Sequence, residues 1–188
     1  MRKIIVSEFL SLDGVMEAPG PAHDFKHAGW TMPFRNETVM TFKREELFSG
    51  DAILLGRKTY EAFAAAWPNV KDEQGFADRM NGLPKHVVTS TLKDFTWNNS
   101  HAISGDLAEG VRALKQEPGG DILMYGSGKL ANALMQIGLV DELRFLVFPV
   151  VLGCGQRFFE QAPHVMFQTI ESSQMDRGVT LLRYALPQ

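Results

Sequence analysis

Short, almost wholly apolar runs alternate along this chain with segments whose apolar residues recur at helical spacing, and no other feature restricts the fold as much. AILLG (Ala52 to Gly56) and DILMYG (Asp121 to Gly126) lack the polar alternation of a half-exposed strand, as expected of strands buried on both faces, and KHVVTS (Lys85 to Ser90) reads the same way. Tyr60, Phe63, Ala64 and Trp67 stand at i, i+3, i+4 and i+7, and Leu130, Ala133, Leu134 and Ile137 repeat that stripe. Strand–helix alternation implies right-handed crossovers, hence an α/β fold with a mostly parallel sheet.

The remaining segments fit the same scheme. Ile4, Val6 and the run to Leu10 form a first strand, closed by Asp13-Gly14. Met16 to Phe34 is rich in Pro, Gly and His and shows no period, the pattern of a functional loop. Asn36 to Phe48 predicts a helix with Val39, Phe42 and Leu47 as its apolar residues. Pro68 stops the helix that follows AILLG, and Asn69 to Leu83 is polar and loop-like. His101 to Ile103 is a short strand. Asp106, with Glu109 three residues on, caps a helix striped by Leu107, Val111 and Leu114. Gly138 fits a helix C-terminal glycine. Glu142 to Gly153 predicts a long strand with Pro149 at a bulge or edge. Phe167 to Ser173 and Val179 to Leu186 close the chain as an antiparallel hairpin turning at Asp176-Arg177-Gly178. With no repeat, linker or break in composition, residues 1–188 read as one domain.

Charge and composition exclude several classes of function. A net charge of -3 provides no basic field for nucleic acid or an anionic membrane. No stretch approaches a membrane span, and MRKIIVSEFLSLDG is too short and too polar for a signal peptide. Cys154 is the only cysteine, so no intrachain disulfide forms, which fits a reducing, cytoplasmic location. Cys154 itself reads as a buried small hydrophobe, and Trp30, Trp67 and Trp97 as core or loop anchors. His23 and His27 flank Asp24 at i, i+4, but without a helical stripe or an evident third ligand no metal site is expected.

Ligands of open α/β sheets bind outside the carboxyl ends of the strands. That rule selects Gly56-Arg57-Lys58-Thr59, where free helix-start amides and two cations suit a phosphate. Cations at a helix start oppose the macrodipole, an arrangement that favours a bound anion. It also selects Thr89-Ser90-Thr91, whose hydroxyls either bond a phosphate or ribose or cap the next turn. A third segment is Gly126-Ser127-Gly128-Lys129, either a cradle for a pyrophosphate or a tight turn with Ser127 as N-cap. The fourth is Ser11 to Gly14, with Asp13 facing a ligand cleft or only making the turn.

SLDG, ILLGRKTYEAF, VVTSTL, YGSGKLANAL and VDELRFLVFPVVLGCGQRFF occur in an order that resembles the dihydrofolate-reductase-like superfamily. Within it the chain is most similar to the reductase domain of riboflavin biosynthesis and its stand-alone relatives. The resemblance implies a dihydrofolate-reductase-like fold, with a central sheet of about eight strands, helices on both faces, and NADPH as hydride donor. It also implies roles for particular residues. Arg57 and Thr59 would sit at the adenosine phosphates, with Gly56 and Lys58 as further cofactor-binding residues, and Ser90 and Thr91 would lie near the 2′-phosphate. Gly126, Ser127, Gly128, Lys129 and Leu130 would cradle the pyrophosphate. Asp13 and Gly14 would lie beside the nicotinamide and substrate, with Asp13 the candidate catalytic residue. The acid that folate reductases carry on the first helix has its counterpart here near Met40, and the glutamate that precedes the glycine loop in riboflavin-pathway reductases has Tyr125, the candidate substrate contact. The expected activity is reduction of a small heterocycle, formally of the 5-amino-6-(5-phosphoribosylamino)uracil reductase type. The alternatives are a pterin reductase or a nucleotide-binding module without turnover. A homodimer is expected as well, because the strand from Glu142 to Gly153 carries more apolar residues than one face needs.

Overall fold

The computed structural model describes residues 1–21, 24–160 and 162–186. Among them the chain forms β1 (Ile4–Ser11), α1 (Glu37–Ser49), β2 (Gly50–Gly56), α2 (Arg57–Ala66), α3 (Phe76–Gly82), β3 (Lys85–Val88) and β4 (Ser100–Ile103). Then follow α4 (Leu107–Gln116), β5 (Asp121–Tyr125), α5 (Gly128–Gln136), β6 (Glu142–Phe148), β7 (Gln168–Gln174) and β8 (Thr180–Ala185). The strands make one eight-stranded sheet in the order β4-β3-β2-β5-β1-β6-β8-β7. The pairs from β4 to β6 are parallel, and β8 runs antiparallel to both β6 and β7, so the sheet is mostly parallel and ends in the expected hairpin.

Alternation along the strands divides the core in two. Ala52 and Leu54 face one side with Ile122, Met124, Ile4 and Val6, covered by α4 and α5 through Val111, Leu114, Ala131 and Leu134. Ile53 and Leu55 face the other side with Leu123 and Ile5, covered by Leu47 of α1, Tyr60 of α2 and Met80 of α3. Leu54 and Ile53 have no exposed surface, and burying each such side chain contributes about 1.5–3 kcal/mol. This two-sided burial is why the apolar runs show no period of two.

Several boundaries differ from the sequence reading. The stretch expected to be loop from Asn69 to Leu83 contains α3, which buries only Ala77 and Met80, too few residues for a recognisable stripe. Its first turn is organised by Asp72, whose carboxylate accepts from the amides of Gln74, Phe76 and Ala77. The long strand stops at Phe148: Pro149 ends it and is not a bulge inside it, because proline has no N–H for the ladder. Both faces of β6 are covered within the chain, by Leu143 and Phe145 in one cluster and Leu146 and Phe148 in another. Its apolar surplus therefore calls for no second chain. Cys154 is exposed, not buried. Trp30 and Trp97 are buried, and Trp67 packs on the α2 side of the core. Among the described residues no helix is long and apolar enough to cross a membrane.

Candidate functional site

β2 and β5 are parallel neighbours, yet the helices that leave them cover opposite faces of the sheet. The crevice between Gly56 and Gly126 is therefore a topological switch point at the carboxyl ends of the strands. The N-termini of α2 and α5 open onto it, and neither first turn contains an acidic residue. Unpaired helix-start amides without a neighbouring carboxylate form an anion-binding environment.

Ser127 ties the two helix starts together. Its Oγ accepts from the Gly56 amide at 2.7 Å and donates to Thr59 Oγ1 at 2.8 Å. Although Ser127 occupies the N-cap position of α5, its side chain makes no cap bond. The hydroxyl reaches sideways because the residue is left-handed, at φ 63° and ψ 47°, a conformation that costs a non-glycine residue about 1–2 kcal/mol. The flanking glycines sit close to their neighbours, and Gly126, at φ 63°, is the one that a side chain would strain most. A Cβ on Gly126 would stand 2.8 Å from Thr59 Cγ2, and one on Gly128 would stand 2.6 Å from Met16 Sδ.

The other expected residues surround this crevice in different ways. Arg57 and Lys58 are exposed in the first turn of α2, and Arg57 Nη1 pairs with Glu61 at 2.9 Å along the helix. That partner already offsets part of the charge that the sequence reading left to a bound anion. An exposed i,i+4 pair contributes only about 0.3–0.5 kcal/mol, so Arg57 can exchange it for a phosphate. At the end of β3 the hydroxyls divide their roles: Thr89 Oγ1 accepts from the amides of Thr91 and Leu92, while Ser90 and Thr91 remain exposed. Lys129 is exposed, whereas Leu130 packs against the core.

Asp13 is a fastener. Its carboxylate accepts from Ser11 Oγ at 2.7 Å and from the amides of Leu152 and Gly153 at 3.1 and 2.9 Å, with Arg157 at 3.5 Å. These bonds, the Ser11 hydroxyl first, hold its pKa down to about 2. It stays ionised near neutrality and has no proton to donate, while Gly14 beside it makes the turn at φ 77°.

Beneath α1 lies a polar array that the sequence reading did not find. Across the strands, Tyr125 stands opposite Ser7, Ser7 opposite Arg144, and Arg144 opposite Arg183, so all four share one row. Lys43 descends from α1, donates to Ser7 Oγ at 2.7 Å and to Glu46, and lies 4.4 Å from the centre of the Tyr125 ring. Glu46 and Glu142 both pair with Arg144, and Arg183 joins Glu142 at 2.9 Å. Tyr125 is buried and its hydroxyl has no hydrogen-bond partner. Burial, and then the Glu46 carboxylate beside it, push the phenol well above its ordinary range. Met40, at the place of the folate-reductase acid, is a half-buried residue of α1. On the opposite face of the sheet Glu8 is buried too, and desolvation raises its pKa to about 8.

The signals for these residues were present in the sequence. Ser7 and Glu8 interrupt an otherwise apolar strand, as Arg144 does in ELRFLVF. On α1 the buried residues are Val39, Lys43, Glu46 and Leu47, so two charged side chains occupy the inward stripe. His23 lies outside the described residues, and among those described no group of three or more His, Cys, Asp or Glu side chains is arranged to hold a metal.

Comparison with known proteins follows the same lines. A family model described as the RibD C-terminal domain matches residues 2–181. The uncharacterized protein YyaP of Bacillus subtilis is 28% identical over 187 residues, which is 97% of this chain and 94% of that protein. A pyrimidine reductase-like protein of Corynebacterium diphtheriae superposes with a TM-score of 0.68 at 12% identity, covering 100% of this chain and 92% of the other. RibD of Acinetobacter baumannii superposes with a TM-score of 0.63 at 16% identity, and this chain spans 58% of its length.

Proposed function

This chain belongs to the RibD C-terminal domain family, and from that premise we propose that it is a NADPH-dependent reductase of a small heterocyclic substrate, formally of the 5-amino-6-(5-phosphoribosylamino)uracil reductase type. The observation that carries the reading is the Ser127 clasp, which holds two acid-free helix starts side by side at a topological switch point. These residues fit a dinucleotide phosphate. The Gly126 to Leu130 segment would hold the pyrophosphate on the α5 amides. Arg57, Lys58, Ser90 and Thr91 would hold the adenosine phosphates, and Gly56 and Thr59 would shape the passage between them. Asp13 would keep the Gly14 turn and the Leu152–Gly153 loop in place beside the nicotinamide. When bound, NADPH supplies a hydride, while the chain supplies position and polarity.

Tyr125, with Lys43 against its ring, would face the substrate. Its raised pKa makes it a hydrogen-bond donor at neutral pH and not an acid. Met40 in the acid position argues against a pterin reductase. Cytoplasmic location and assembly as a homodimer belong to the same proposal. The dimer is checked by light scattering, where a monomer mass would count against it. The enzymatic reading is tested with a panel of ribosylamino-pyrimidines and pterins, following loss of nicotinamide absorbance. Turnover of one heterocycle supports it. Tight NADPH binding with no turnover across the panel would instead favour a nucleotide-binding module.

A further inference from the structure

Glu8 lies one residue beyond the last β1–β5 register pair, Ser7 with Tyr125, and so stands beside Gly126 at the point where β5 enters the glycine turn. Strand alternation directs its side chain to the α5 face with Val6 and Leu10. Only 7% of the residue is exposed, and Oε1 has no hydrogen-bond partner. The residue opposite it on β6 is Phe145, which offers no polar atom. A buried carboxyl oxygen without a partner calls for a ligand or a function.

We infer that Glu8 holds the carboxamide of the nicotinamide ring. The inference rests on the cofactor reading above, which puts the pyrophosphate at Gly126 to Leu130 and the nicotinamide beside Asp13 and Gly14. Glu8 lies on β1 between these two places. A neutral carboxyl presents one O–H donor beside one carbonyl acceptor, and a primary amide presents the complementary pair. Burial keeps Glu8 in that neutral form near pH 7, against the opposing effects of Lys43 and the Gly126 amide. The charged groups around it are few. Lys43 and Glu46 act from α1, Lys129 on α5 is exposed, and β6 contributes only Phe145 opposite. Bound phosphates would disfavour ionisation of Glu8 further, so the proton and the cofactor favour each other's binding.

The test is calorimetric titration of NADPH, and of adenosine 2′,5′-bisphosphate as a fragment lacking nicotinamide, into wild type, Glu8→Gln and Glu8→Leu between about pH 7 and pH 9.5. Wild-type affinity for NADPH should fall by up to about tenfold per pH unit above pH 8. Glu8→Gln keeps a donor and an acceptor and should match the neutral-pH affinity with no such fall. Glu8→Leu should bind NADPH about tenfold more weakly at pH 7, for the loss of about 1–1.5 kcal/mol of hydrogen bonding. The fragment should bind all three alike. Lys85 also titrates near pH 8, but its ammonium sits on the Asn81 and Asn98 carbonyls, and it is common to every variant. Identical pH profiles for wild type and Glu8→Gln would overturn the inference even if Glu8→Leu fails to fold. So would wild-type NADPH affinity in a folded Glu8→Leu. If folded wild type binds neither NADPH nor the fragment, the cofactor reading fails, and the inference fails with it.

Discussion

Replacing Ser127 separates the two contributions that the clasp combines. In Ser127→Ala the Gly56 amide loses its acceptor and Thr59 loses its donor, while residue 127 keeps its left-handed backbone. Two hydrogen bonds at about 1 kcal/mol each, one leaving a part-buried N–H unpaired, destabilise the fold by about 2 kcal/mol. In Ser127→Gly the same bonds are lost, but a left-handed strain of about 1–2 kcal/mol is relieved. The glycine variant should therefore be more stable than the alanine variant by about 1 kcal/mol, even though glycine is ordinarily the more destabilising choice. For a domain of this size each kcal/mol shifts Tm by about 2–4 °C, so Ser127→Ala should melt about 4–8 °C below wild type and Ser127→Gly about 2–4 °C above Ser127→Ala. Thermal unfolding followed by circular dichroism measures both. An alanine variant as stable as wild type would mean that the clasp contributes nothing. A glycine variant less stable than the alanine variant would refute the strain argument.

Arg57→Ala should weaken NADPH binding about tenfold or more, the lower end of a charge-assisted contact, and change NADH much less; equal losses for both cofactors in a fluorescence titration would place Arg57 away from the 2′-phosphate. Gly50→Ala should cost about 1–3 kcal/mol in urea unfolding, because its Cβ would stand 2.5 Å from Leu123 Cγ at an ordinary φ of -93°. Glu8 has a folded pKa raised from 4.5 to about 8, so the folded state holds this proton more tightly. Its contribution to stability is fully present below the unfolded pKa and is lost as pH rises toward 8. Glu8→Gln should therefore gain on wild type by up to about 1.4 kcal/mol per pH unit between pH 5 and pH 8, and parallel curves in denaturant titrations across that range would exclude a protonated Glu8.

The fold was legible because its signals are local. Burial of AILLG and DILMYG on both faces removes polar alternation, and the stripes on α2, α4 and α5 repeat at the period of a helix, so composition within each segment already implies the layered sheet. The strand ends around Gly56 and Gly126 could be picked out for the same reason, since a strand, a glycine and a helix follow in order. What the sequence left open depended on partners distant in the chain. Whether the Ser127 hydroxyl caps its own helix or ties down Gly56 and Thr59, 71 and 68 residues away, was decided only when β2 and β5 paired. Asp13 is partly of the same kind: the neighbouring Ser11 hydroxyl lowers its pKa most, but its bonds to the Leu152 and Gly153 amides, 139 and 140 residues on, form only in the folded chain. Ser7, Glu8 and Arg144 interrupt apolar strands and so were visible in the sequence, but only burial joins Lys43, Glu46 and Arg144 into an ionic array and raises the pKa of Glu8. Sequence alone determined most of the strands and helices, though not α3 or the end of β6, because backbone preference and amphipathic period act over a few residues. Tertiary structure decided which polar groups are desolvated and what they meet, because that energy depends on surroundings assembled from the whole chain.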